Sequence, residues 1–117
     1  MVNLPEKPNV ERWAEMPFIE QMANIGSEVG RTLKWKRKGN ANMAKGAFVR
    51  ALDLFDLTIA VGRMNESLSS RDSMLKEVIR ARDQFCEEYL SDDSKALIPS
   101  DKYFSHFAKA FALRSSR

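Results

Sequence analysis

Residues 43–61 read "MAKGAFVRALDLFDLTIAV", and the spacing of their apolar side chains decides the fold class. Apolar positions recur at three and four rather than at two, which is the period of a helix. Winding the segment at about 100° per residue puts Ala44, Phe48, Ala51, Leu52, Phe55 and Ile59 on one side. A second apolar stripe, Met43, Ala47, Leu54, Leu57 and Val61, lies opposite, interrupted mainly by Arg50. Lys45, Asp53 and Asp56 share the narrow polar flank between the two. A helix that is apolar on two sides is either central in its bundle or buried against another chain. Each helix of a small bundle normally keeps a solvent side, so the expectation is a homodimer with Met43, Ala47, Leu54, Leu57 and Val61 at the interface. Burial within the chain is the alternative.

The same periodicity extends in both directions. Pro17 suits a first helical turn, and Phe18, Met22, Ile25, Val29 and Leu33 then recur at helical spacing up to Gly39-Asn40, a left-handed stop; this predicts a helix over 17–38. Asn40 or Asn42 can cap the segment quoted above, which stops at Gly62. A loop follows over 63–69. Ser70 is placed to cap a third helix carrying Leu75, Val78, Ile79, Phe85, Cys86 and Tyr89, and Ser100 a fourth, "DKYFSHFAKAFAL". Residues 1–16, with Pro5 and Pro8, read as an extended arm that lays Trp13 against the domain, and 115–117 as a tail. The expectation is one all-α domain over 17–114, an antiparallel bundle of about four helices. The chain's 117 residues and 44% hydrophobic content suit one core.

One cysteine, Cys86, permits no internal disulfide. Neither a signal-peptide core nor an apolar run of membrane-spanning length is visible, so a cytoplasmic, non-membrane protein is expected. The net charge of +3 is unevenly spread: Arg31, Lys34, Lys36, Arg37, Lys38, Lys45 and Arg50 crowd a stretch without acidic residues, and the remainder is net acidic. Lys34, Lys36, Arg37 and Lys38 complement the negative end of the first helix, which needs no nucleic acid. The alternative gathers Lys34, Lys36, Arg37, Lys38, Lys45 and Arg50 into a phosphate-binding corner, with Trp35 offered to a base.

Polar residues also fall in unexpected places. Arg82 lies in the apolar stripe of the third helix, where a guanidinium needs an acceptor; Asp53, Asp56 and Glu28 are the candidates, in a buried ion pair or a polar site. Asn24, Glu28, Arg31 and Trp35 line a flank of the first helix, where Glu28 and Arg31 can pair along the helix. Convergence of Glu28, Arg31, Trp35, Asp53, Asp56 and Arg82 would make a small-ligand pocket. Catalytic and metal signals are poor. His106 and Cys86 have no companions by spacing, His106 reads as half-buried, and "GNANMAKG" lacks a phosphate-cradling pattern. Glu87-Glu88 and Asp92-Asp93 read as solvated helix-end groups. No catalytic residues, metal or cofactor are expected.

A short basic chain of about four helices with an arginine in the core stripe of a late helix resembles the HEPN group (higher eukaryotes and prokaryotes nucleotide-binding domains). That resemblance implies dimerisation, a nucleotidyltransferase partner and, in active members, RNA cleavage by an arginine followed four to six residues later by histidine. Here six intervening residues from Arg82 lead to Tyr89, and His106 lies on a different predicted helix. The stretch "ANIGSEVGRTLKWKRKGN…AFVRALDLFDLT" is also similar to small bacterial helical proteins of no assigned activity, and "AKGAFVRALDLFD" to one helix of a tetratricopeptide repeat, occurring once. The functional expectation is a non-catalytic interaction or regulatory module acting as a homodimer, with a protein partner also considered. The alternative is an RNA-binding or RNA-cleaving protein using the basic corner.

Overall fold

The computed structural model describes residues 10–64 and 69–115. They form five α-helices, α1 (Val10–Glu15), α2 (Phe18–Arg37), α3 (Ala41–Met64), α4 (Ser69–Leu90) and α5 (Ile98–Ser115), with a short 3₁₀ helix, Ser94–Leu97, leading into α5. No strand occurs among the described residues. The four long helices make the helical bundle that the periodicity predicts. Residues 1–9, 65–68, 116 and 117, and with them most of the expected arm and loop, lie outside the described residues.

The α2–α3 corner follows from its local chemistry. Gly39 takes φ 72°, the left-handed conformation that ends α2 cheaply only without a Cβ. Asn40 then caps α3, its side-chain oxygen accepting from the Met43 amide at 3.1 Å. Asn42 is already inside the helix. α3 runs two residues past the predicted stop at Gly62, and Ser70 lies within α4 rather than ahead of it.

The predicted stripes build one core. Met22, Ile25 and Val29 of α2, Ala51 and Phe55 of α3, and Phe85 of α4 are completely buried, joined by Val78, Leu97 and Phe104. Phe55 meets Phe104 edge-on at 5.6 Å, and Phe48 stacks on Tyr89 at 3.8 Å. Burying each such large side chain stabilises the fold by about 1.5–3 kcal/mol. The helices are not equally spaced around this core. α2 is the hub, in long contact with both α3 and α5; α4 packs on α3, and its contact with α5 is sparse.

Two expectations are corrected at the chain ends. The arm is helical over Val10–Glu15, because Trp13 docks as a side chain of a short turn: it is 4% exposed and its Nε1–H donates to Thr58 Oγ1 at 2.8 Å. Gln21 secures that turn by donating to the Trp13 carbonyl. Ser100 does not cap the last helix, since α5 begins at Ile98; the cap is Asp93, which accepts from the Lys95 amide and starts the 3₁₀ turn.

Candidate functional site

The sparse α4–α5 seam is open. On α4, Ser73, Lys76, Glu77, Arg80, Ala81 and Gln84 fall on one helical stripe, turned away from Val78 and Phe85, which the core buries. Across from them stand Ser100, Tyr103 and Phe104 of α5, and the two walls enclose a groove of about 530 Å³. Its origin lies on α2. A Cβ added at Gly26 would sit 2.8 Å from Phe104 Cβ, and one at Gly30 3.3 Å from Asp101 Oδ1. Two glycines one turn apart let α5 settle on the α2 backbone, and α5 meets α4 only sparsely.

The groove is polar at its rim and aromatic at its floor. Tyr103 donates its hydroxyl to Glu77, linking the walls. Burial, and then the hydrogen bond to Glu77, push the Tyr103 phenol well above its ordinary value of 10.0. Tyr103 also meets Phe104 edge-on at 5.0 Å. Glu88 ties two lining residues together, accepting from Gln84 Nε2 at 2.7 Å and from the Ser100 amide at 3.2 Å. Glu88 is therefore not the solvated end group expected of it. Lys76 and Arg80 are exposed along the α4 wall, and among the described residues neither takes part in an ion pair.

The six residues proposed from sequence as a ligand cluster divide into separate bonded sets. Glu28, 8% exposed, accepts from Arg31 Nη1 at 2.5 Å and from Arg50 Nε at 3.1 Å. Arg82 donates to Asp56 at 3.0 Å, one of the three acceptors expected. That pair is more open than the apolar stripe implied: 30% of the Arg82 side chain and 59% of the Asp56 side chain remain exposed. Asp53 is exposed. Trp35 is half-buried beneath the ammonium groups of Lys34 and Lys38, at 5.4 and 5.2 Å from its ring.

The basic corner is divided as well. Lys36 reaches across to α4, where its ammonium donates to the carbonyls of Tyr89 and Ser91 and lies 4.9 Å from the Tyr89 ring. It satisfies the C-terminal end of α4, not that of its own helix. Arg50 is bonded to Glu28. Lys34, Arg37, Lys38 and Lys45 remain exposed.

The second stripe of α3 is largely used inside the chain. Ala47 is completely buried, Val61 is 7% exposed and Leu54 packs against the core, while Leu57 is half-buried and Met43 is 45% exposed. Trp13 on Thr58 covers the turn between Leu54 and Val61. Of the remaining reactive groups, His106 is exposed rather than half-buried, and burial pushes the Cys86 thiol up, against the opposing charge of Arg82. Among the described residues no group of three or more His, Cys, Asp or Glu is placed to hold a metal ion, and no helix is long and apolar enough to cross a membrane.

Sequence reasoning missed Lys76, Glu77, Arg80, Gln84 and Tyr103. Taken singly these are ordinary surface residues; the signal was Gly26 and Gly30, whose spacing announces a closely packed helix on α2. Comparison with known proteins leaves the reading to the chain's own geometry: no family model matches it, no curated protein matches it, and no solved structure matches it.

Proposed function

We propose that this chain is a non-catalytic binding module whose recognition surface is the groove between α4 and α5. The observation that carries this is that exposed cations and aromatic side chains line one concave site. Outside it, Glu28 holds Arg31 and Arg50, Lys36 ends α4 and Arg82 meets Asp56, while Lys34, Arg37, Lys38 and Lys45 are exposed at the α2–α3 corner. In the groove, Lys76 and Arg80 line the same surface as Tyr103 and Phe104, and among the described residues neither takes part in an ion pair. A concave, partly apolar site with a few placed polar groups is the usual form of a ligand site. Among the described residues, the groove hydroxyl bonded to a carboxylate is that of Tyr103, and burial with the Glu77 bond makes it hold its proton more tightly than a free phenol.

This reading moves the interaction surface away from the outer stripe of α3, whose Ala47 and Val61 are buried within the chain. It also ranks above RNA contact at the α2–α3 corner, because Lys36 and Arg50 are bonded internally. The test is amide chemical-shift mapping of the intact chain against a small set of charged and neutral aromatic fragments. Shifts clustering on Lys76, Arg80, Ala81, Gln84 and Tyr103 are expected; shifts clustering around Trp35 and Lys38 instead would overturn the assignment.

A further inference from the structure

We infer that the occupant of the α4–α5 groove is a small organic anion, a carboxylate joined to a flat apolar body. This inference rests on the reading of the groove as the binding surface and adds the class of ligand. Three features select it. The first is size: about 530 Å³ falls within the range of small-molecule sites. The second is the unequal length of the walls. The α4 stripe runs from Ser73 to Gln84, whereas α5 contributes only Ser100 to Phe104, four steps or roughly 6 Å of helix. A docked helix about 10 Å across needs both walls over several turns; a bicyclic ring system does not. The third is the arrangement of charge and ring surface. Lys76 and Arg80 lie one turn apart on the exposed side of α4, and Tyr103, Phe104 and Ala81 provide the apolar surface. Among the described residues, Glu77 is the one carboxylate lining the groove, and it already accepts the Tyr103 hydroxyl. An incoming anion therefore meets two cations and a carboxylate that is already hydrogen-bonded, with aromatic surface for the rest of the molecule.

The experiment is titration calorimetry of the full chain with 2-naphthoate, its neutral isostere 2-naphthylmethanol, and acetate, paired with amide shift mapping. Naphthoate should bind at least about tenfold more tightly than the alcohol, with shifts in the groove, and acetate should give no measurable heat. The double variant Lys76→Gln/Arg80→Gln, at two exposed positions, should remove the preference for the acid. Lys34→Gln/Lys38→Gln, with the same change in net charge at two positions that do not line the groove, should keep it. If the alcohol binds the groove as tightly as the acid, the ligand class is wrong and the site stands. If neither compound shifts the groove residues, the site itself is wrong. A peptide carrying one acidic and one aromatic residue that displaces naphthoate and binds more tightly would replace the small molecule with a protein partner.

Discussion

Replacing Gly26 with alanine tests the contact that shapes the molecule. The new Cβ would lie 2.8 Å from Phe104 Cβ and 3.4 Å from the Phe104 carbonyl oxygen, the first about 0.7 Å inside the nearest comfortable carbon–carbon separation. Phe104 cannot yield by changing rotamer, because its Cβ is the root of the side chain. α5 must move instead, disturbing a ring that is 1% exposed and packed on Phe55. Overpacking of this kind costs about 1–3 kcal/mol, and alanine returns about 1 kcal/mol of helix propensity. Gly46→Ala provides the reference: it carries the same propensity gain and meets only the tip of Arg50, at 3.4 Å. Gly26→Ala should therefore be less stable than Gly46→Ala by about 1–3 kcal/mol, or roughly 4–12 °C in Tm. Urea and thermal unfolding followed by helical circular dichroism measure both. Equal stability of the two variants within about 0.5 kcal/mol would refute the close α2–α5 approach.

Three further outcomes follow from single contacts. Lys36→Met should cost about 1–2 kcal/mol in urea unfolding, because it uncaps α4, whereas Lys34→Met should stay within about 0.5 kcal/mol; the reverse order would contradict the role assigned to Lys36. Arg82→Met should change stability by no more than about 1 kcal/mol, since the pair with Asp56 is partly exposed, and a loss above about 3 kcal/mol would restore the buried ion pair expected from sequence. The raised Tyr103 pKa gives stability that is complete below the ordinary phenol pKa of 10.0 and lost as pH rises toward the folded value. Unfolding midpoints should fall above about pH 10, and Tyr103→Phe should flatten that fall; an unchanged slope would mean Tyr103 is not the group responsible.

Much of the fold was legible because helix-forming patterns are local. The stripe Met22, Ile25, Val29 and Leu33, the stop at Gly39 and the cap at Asn40 each depend on neighbours within a turn or two. The second stripe of α3 was visible too, but its covering was not. Trp13 reaches Thr58 from 45 positions away, and no local spacing reports such a pairing. The polar residues were misjudged for a related reason. Lys36 was read against the end of its own helix, when its partners are the carbonyls of Tyr89 and Ser91. The groove was least legible of all. It lies where α5 packs on one helix and meets another only sparsely, and it is lined by residues that on a lone helix are a solvated face.

The groove as the place where this chain binds is tested most directly by obstructing it. Gln84 is exposed on the α4 wall and, among the described residues, its side chain bonds Glu88 of its own helix, so Gln84→Trp should fill the groove while changing stability by about 0.5 kcal/mol or less. The account predicts that this variant unfolds at the wild-type urea midpoint and no longer binds 2-naphthoate. Wild-type affinity for 2-naphthoate in a fully folded Gln84→Trp chain would contradict it.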